Sequence, residues 1–371
     1  MSAHVKICHI STVHPRYDVR IFHKEAASLA QWYDVVLLVA DGLPKETKRG
    51  VRIMALPSVK NRLQRFYTSL VKIIRLARAQ RAEIYHLHDP ELLPLGIVLK
   101  WSGARVIYDV HEDLPRDILR KRWLPRWIRR PLAFFIERIE IFCARRFDGI
   151  VAATQTIADR FKAYNENSLA IHNYPLLKEF PAAVEVNTRN KKFCYVGVVL
   201  SDRGIQTLLD CIVDTDYTLV LAGNIPEQGL EQQLRTHPGW QRVDYRGWQD
   251  RQGVRNIMKE CFAGVVTLDP TQAYRESLPV KLFEYMAAGL PVVASNFTLW
   301  EKLLGAKNCC LFVNPNDKKD IFAALDRLHQ NPSDAIRLGA NGRAAIEHQF
   351  NWSHEAKNLQ AIYARLLLAE R

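Results

Sequence analysis

Two acidic residues, Glu276 and Glu284, bound the segment richest in chemistry, Glu276-Ser277-Leu278-Pro279-Val280-Lys281-Leu282-Phe283-Glu284-Tyr285-Met286-Ala287-Ala288-Gly289-Leu290-Pro291. Ser277 is a helix-capping residue type, and Pro279 suits a first helical turn. The N–H groups of such a turn have no carbonyl ahead of them, and the helix dipole adds to their attraction for an anion. Helical side chains lean toward the N-terminus, so Glu284 reaches back to that end while Glu276 stands just before it. Carboxylates accept hydrogen bonds from hydroxyls. An anion site beside two carboxylates therefore fits a ligand carrying both phosphate and sugar hydroxyls. The plain alternative is an amphipathic helix with solvated acids. Gly289 and Pro291 end the helix and open a strand.

A second segment, Phe193-Cys194-Tyr195-Val196-Gly197-Val198-Val199-Leu200-Ser201-Asp202-Arg203-Gly204-Ile205, reads as strand, short loop and helix. Gly197 and Gly204 allow close backbone approach, and Arg203 offers a forked, permanent cation for a diphosphate. By itself a glycine-rich turn says little. Three further candidates follow strand-like runs: His111 within Tyr108-Asp109-Val110-His111-Glu112-Asp113, His88 and Asp89 within Tyr85-His86-Leu87-His88-Asp89-Pro90, and Asp18 and Arg20 in the loop from Thr12 to Phe22. On a strand His86 and His88 point to the same side, and with Asp89 they would suit zinc. His111 reads equally as a surface histidine in an acidic loop. Asp214-Thr215-Asp216 has the spacing of a metal–diphosphate motif, but it precedes a strand and reads as a turn.

These residues need elements to hold them. Short β-branched runs alternate with longer helical patterns, which predicts parallel sheets of the doubly wound kind. Strands are expected at 5–10, 34–40, 51–56, 83–88, 105–110, 149–153 and 169–172, then at 192–197, 217–222, 243–247, 263–268, 291–295 and 309–313. Two such sets predict two domains, 1–180 and 181–350. The pattern breaks near Asn173–Asn190, where Pro175, Pro181 and a polar run intervene. A last helical stretch, 351–371, has no following strand and is free to pack back on the first domain. In open parallel sheets ligands bind beyond the carboxyl ends of strands, which is where these candidates fall.

The run from Glu276 through Glu284-Tyr-Met-Ala-Ala-Gly-Leu-Pro-Val-Val-Ala resembles the E-x7-E signature of retaining glycosyltransferase family 4, of the polysaccharide-assembly type. The resemblance extends over the whole chain. It implies the GT-B architecture, two Rossmann-like domains facing a central cleft, with the donor on the second domain and the acceptor on the first. It assigns Glu284 to the nucleotide ribose and Glu276 to donor sugar hydroxyls. Backbone amides near Ser277–Val280, a stretch that includes Leu278 and Pro279, are placed at the donor sugar and diphosphate, with Lys281 assisting. It puts Gly197, Arg203 and Gly204 at the diphosphate, His111 near the reaction centre, and His88, Asp89, Asp18 and Arg20 on the acceptor side. The chain departs from the family at Val198, where a second basic residue is common, so charge compensation falls on Arg203 and Lys281. The implied reaction is transfer from a nucleotide-sugar, a co-substrate, to a glycan or lipid-diphosphate-linked acceptor in lipopolysaccharide, capsule or exopolysaccharide assembly. No cofactor and no metal are expected. A sugar-nucleotide epimerase or phosphorylase of the same architecture is the alternative.

Composition narrows the partners. The 371 residues are 48% apolar and 25% charged, ordinary for a globular protein. The net charge of +13 sits almost wholly in residues 1–180, which hold 30 Lys and Arg against 18 Asp and Glu, leaving 22 against 21 in the remainder. Seven basic residues and no acid lie within 60–81, and ten against three within 116–146, where Trp123 and Trp127 interleave with arginines. Tryptophan among Lys and Arg fits an anionic membrane face, and a core helix with a solvated basic face is the plain reading. A basic nucleic-acid-binding protein is the remaining alternative, but no nucleic-acid motif is present and none is expected as partner. No run approaches a membrane span, the N-terminus reads as a strand rather than a signal peptide, and the seven cysteines form no CxxC pair. A cytoplasmic protein with reduced cysteines, peripheral on the inner face of the cytoplasmic membrane, is expected.

Overall fold

The computed structural model describes residues 5–56, 70–120 and 124–368. The basic stretch 60–81 is therefore described only from Leu70 onward, and Trp123 lies outside the described residues. The chain divides into two units, Met1–Asn173 with Ser353–Arg371, and Tyr174–Trp352.

The first unit holds β1 (Lys6–Ser11), β2 (Asp34–Val39), β3 (Glu46–Lys48), β4 (Val51–Ala55), β5 (Ile84–Leu87), β6 (Arg105–Val110), β7 (Gly149–Ala152) and β8 (Ser168–Ala170). They form one sheet in the order β3-β4-β2-β1-β5-β6-β7-β8, parallel except for β3 on β4. The inner strands are apolar runs, buried along nearly their whole length because helices cover both faces. The exception is β3, Glu-Thr-Lys, which no apolar pattern announces. Its charge suits an edge that must not recruit another strand.

The second unit holds β9 (Lys192–Val196), β10 (Thr218–Ala222), β11 (Val243–Gly247), β12 (Ala263–Val266), β13 (Val292–Ser295) and β14 (Cys310–Val313), all parallel, in the order β11-β10-β9-β12-β13-β14. Both units are thus Rossmann-like. In each, the strand order reverses beside the first strand, between β1 and β5 and between β9 and β12. The crevice at such a reversal is where ligands of open α/β sheets bind.

The division between units falls at Asn173/Tyr174, earlier than residue 181. Tyr174 packs its ring against Phe283 and Phe350, at 4.8 and 5.4 Å between centroids, and Trp352 N–H donates to the Pro175 carbonyl. Beyond Trp352 the helix Trp352–Leu368 belongs to the first unit. There Glu355 accepts from His172 N–H at 3.1 Å, and Tyr363 is buried beside His86. Among the described residues no helix is long and apolar enough to cross a membrane.

Candidate active site

In the second unit, β9 ends into the Gly197 loop at the point of strand reversal. Gly197 has φ of +136°, a conformation closed to other residues, and a Cβ built there would lie 3.2 Å from Lys281 Nζ. Gly204, at φ +71°, begins the helix Ile205–Ile212. A Cβ there would meet the Thr267 carbonyl oxygen at 1.8 Å, so only glycine lets this loop lie against the end of β12.

Two cations converge beside Gly197. Lys281 Nζ lies 3.5 Å from the centre of the Tyr195 ring, out of contact with solvent and without a hydrogen-bond partner. Burial, with Arg203 nearby, holds its pKa well below the usual lysine range. Arg203 packs its guanidinium 5.1 Å from the Tyr274 ring centre, and its Nε is likewise buried without a partner. Buried cations are normally satisfied. Two orphaned donors at one strand end mark a place built for an anion that brings its own acceptors.

The helix behind them is Val280–Ala288, ended by Gly289 at φ +81°. Its start differs from the expected capping. Ser277 Oγ donates to the Tyr274 carbonyl at 3.2 Å, and Pro279 occupies the cap position with no side-chain cap. The first-turn amides of Val280 and Lys281 are therefore not covered by a serine hydroxyl. Leu278 is half-buried against the core, and the Ser277 carbonyl is fixed by Trp300 Nε1–H at 2.7 Å. Glu276 accepts from Gln272 Nε2 at 2.9 Å. Glu284, nearly buried, receives Arg251 Nη1 at 2.6 Å, and Arg251 also pairs with Glu179. Arg251 and Glu179 carry no local signature that would single them out in sequence. Asp214 and Asp216 lie before β10, where Lys191 pairs with Asp216 at 2.7 Å, a turn at the amino edge.

In the first unit, candidate residues gather at the carboxyl ends of β1, β5 and β6. Asp109 is their hub. It pairs with Arg20 through two bonds of 2.9 and 3.1 Å, with His111 Nε2 at 2.9 Å and with His88 Nδ1 at 3.2 Å. Burial raises the Asp109 pKa, but Arg20 and the two histidines outweigh it and hold the carboxyl well below its usual range. His111 is the member of this group that keeps solvent contact. Its Nε2 is the ring nitrogen that meets Asp109.

Arg20, His88 and Asp89 are all buried. Arg20 also donates to the Ile171 carbonyl at 2.7 Å. Asp89 accepts from Ser11 Oγ at 3.0 Å and Thr12 N–H at 2.6 Å and pairs with His14 at 2.9 Å, so it is turned away from His86 and His88. Asp18 caps the following π-helical segment Val19–Ala26 by accepting from the N–H groups of Arg20 and Ile21.

The π winding explains a residue that sequence reading missed. Arg20 and Glu25 are five apart, a spacing that straddles two faces of an α-helix but shares one face of a π-helix. Glu25 is thereby turned inward beside Arg20 at 2.9 Å. Burial pushes its pKa well up. His9, Asp109 and Tyr363 were also not singled out, since only the sheet register and the returning C-terminal helix bring them together.

The chain matches two family models, a glycosyl transferase 4-like domain over residues 19–172 and glycosyl transferases group 1 over residues 178–345. Among curated proteins it is 23% identical to the MMP alpha-(1->4)-mannosyltransferase of Mycolicibacterium hassiacum, over 81% of this chain and 75% of that one. It is 25% identical to the D-rhamnosyltransferase WbpZ of Pseudomonas aeruginosa, over 77% of this chain and 74% of that one. Among solved structures, sucrose-phosphate synthase from Thermosynechococcus elongatus superposes with a TM-score of 0.78 at 18% identity, covering 99% of this chain and 100% of that one. HepE of Anabaena, solved in complex with UDP, gives 0.73 at 14% identity, covering 97% and 100%. The fold is GT-B, and the chain belongs to the group 1 glycosyltransferases.

Proposed function

We propose that this protein is a retaining glycosyltransferase that moves a sugar from a nucleotide-sugar to a glycan or lipid-diphosphate-linked acceptor in cell-surface polysaccharide assembly. One observation carries the donor half of the reading: Lys281 Nζ and Arg203 Nε, buried and unpartnered, beside Gly197 at the strand reversal of the second unit. A diphosphate supplies the acceptors both lack. Glu284, held by Arg251, is proposed for the ribose hydroxyls, and Glu276 for those of the sugar. The names of relatives support the chemistry: a mannosyltransferase, a rhamnosyltransferase and a lipopolysaccharide core glycosyltransferase of Rhizobium meliloti.

In the proposed reaction the bond from the anomeric carbon to the diphosphate breaks, and one to the acceptor oxygen forms on the same face. The acceptor proton passes to the departing phosphate. Lys281, Arg203 and the first-turn amides of Val280 and Lys281 take up the developing charge, so no metal ion is assigned to the diphosphate. His111, fixed by Asp109, is proposed to meet the donor sugar.

The basic first unit is proposed to work at the anionic inner face of the cytoplasmic membrane. Its support is the helix Arg126–Ala144, which exposes Trp127 at 77%, Phe134 at 58%, Phe135 at 62% and Phe142 at 49%, with Arg138 and Arg146 stacked on Phe134 and Phe142.

The test is incubation with nucleotide-sugars and membrane lipid extract, followed by nucleoside diphosphate release and NMR of the new linkage. An anomeric configuration matching the donor's is expected. Inversion overturns retention. An epimerised nucleotide-sugar formed without acceptor overturns transfer. Undiminished turnover in both Glu276→Ala and Arg203→Ala overturns the site.

A further inference from the structure

Beneath the Asp109 hub lies a second group of side chains for which sugar transfer has no use. His9 sits on β1, His86 is its register partner on β5, His88 follows at the end of β5, and Glu25 comes from the π-helical segment. All four are buried. One ligating atom from each lies within 4.8 Å of one from every other.

Each imidazole has one ring nitrogen approached by a side chain outside the four. Asp109 holds His88 Nδ1 at 3.2 Å. Tyr363 Oη holds His86 Nδ1 at 2.6 Å and lies 3.4 Å from His9 Nε2. That leaves His88 Nε2, His86 Nε2 and His9 Nδ1, while Glu25 Oε2 lies 3.9 Å from His88 Nδ1. His9 Nδ1 and His88 Nε2 are 2.8 Å apart, while His86 Nε2 has no partner. Both Glu25 oxygens also lack a hydrogen-bond donor. Arg20 Nε approaches one of them at 2.9 Å, but its single N–H is committed to Asp109.

Protons close only part of this arrangement. His88 donates through Nδ1 to Asp109, so its Nε2 accepts, and His9 Nδ1–H serves it. Tyr363 O–H serves His9 Nε2, and its oxygen accepts from His86 Nδ1–H. His86 Nε2 is then a bare lone pair, and both Glu25 oxygens near it also lack a donor. A divalent cation satisfies these acceptors together.

We propose that His9, Glu25, His86 and His88 form a buried four-coordinate metal site in the first unit, of the three-histidine, one-carboxylate type that takes Zn2+. Imidazole and carboxylate donors suit zinc, and a closed set of four protein ligands is the structural kind of site. Asp109 and Tyr363 are its outer supports, the arrangement that fixes ring orientation and tautomer in metal-binding histidines. The ion ties β1, β5, the π-helical segment and the C-terminal helix into one cluster. By fixing His88 it fixes Asp109, and through Asp109 the ring of His111. This site is independent of the donor site in the second unit and of the transferase reading.

The experiment is metal analysis of the full chain, expressed without a histidine tag and purified without chelator. One zinc ion per chain is expected. Stripping it with a strong chelator should lower the melting temperature, and added ZnCl2 should restore it. Co2+ in its place should give the intense visible bands of a four-coordinate ion. Glu25→Gln and His86→Gln should lose the metal, and the stripped wild type serves where a variant fails to fold. Metal far below stoichiometry, with no rise in melting temperature on adding ZnCl2, overturns the site. So does full metal content in both folded variants.

Discussion

Lys281 Nζ rests 3.5 Å above the Tyr195 ring with no hydrogen-bond partner, an ammonium kept dry by an aromatic face. The ring recovers part of the lost hydration by cation–π attraction, but a buried donor left unmade still costs about 1–3 kcal/mol. Lys281→Met removes that cost. The free variant is expected to melt at or above the wild-type temperature, while its stabilisation by nucleoside diphosphates disappears. Transfer should fall about a hundredfold or more, the scale of losing one preorganised charge at the transition state. Paired melts with and without UDP and GDP, alongside initial rates, check both halves. A destabilised variant that still responds to nucleotide would count against the assignment.

Gly204 and Gly103 form a natural comparison. Both have positive φ, +71° and +84°, but a Cβ at Gly103 meets nothing within 4 Å, whereas at Gly204 it collides with the Thr267 carbonyl. Gly103→Ala should cost about 1 kcal/mol, the backbone strain alone. Gly204→Ala must also move β12 or the Arg203 loop, and should cost at least about 3 kcal/mol or lose nucleotide response while folded. Urea denaturation of the two variants, read side by side, separates strain from collision.

How much of this was legible in the sequence follows from what each feature rests on. Runs such as Val35–Val39 and Val292–Ala294 announce buried parallel strands because apolar content is a local property. Glu46–Lys48 has no such content and becomes a strand only because β4 offers it an edge. The Glu276–Gly289 segment is likewise self-contained, so its helix and its C-terminal glycine could be read directly. The buried polar cluster could not. Glu25 is turned inward by π winding, and Tyr363 meets His86 across 277 positions of chain. Arg251 reaches Glu284 from another helix for the same reason. Long-range pairing of polar groups leaves no periodic trace.

Glu140 offers a test by pH. It is fully buried between Tyr108 and Arg160, which donates to it at 3.1 Å, and burial pushes its pKa up to about 7 against the pull of Arg160. A carboxyl whose folded pKa exceeds its unfolded value binds its proton more tightly in the native state. Its contribution is therefore fully present below the ordinary value of 4.5 and is lost as pH rises through about 7. The span amounts to about 3 kcal/mol at most. Glu140→Gln should flatten stability between these limits. Urea midpoints measured across that range, wild type against variant, give the comparison, and parallel curves would refute it.

The helix Arg126–Ala144 carries the last prediction. Trp127, Phe134, Arg138, Phe142 and Arg145 follow one another at intervals of seven, four, four and three, so they share one face, with Phe135 beside it. Four exposed aromatics on a single helix are costly in water unless something covers them. The arginines among them, Arg138 stacked on Phe134 and Arg146 on Phe142, select an anionic cover. An indole and phenyl rings entering the headgroup region would each remove apolar area from water, at about 25 cal/mol per Å2. Each arginine near an anionic surface would add about 1 kcal/mol. Liposomes containing phosphatidylglycerol should therefore sediment the wild type at low salt, and neutral liposomes should not. Trp127→Ser with Phe134→Ser should weaken binding at least about tenfold while leaving the fold intact, because both side chains already face solvent. Equal binding to neutral and anionic vesicles would show that charge does not choose the surface. No binding to either would make this face a solvated one.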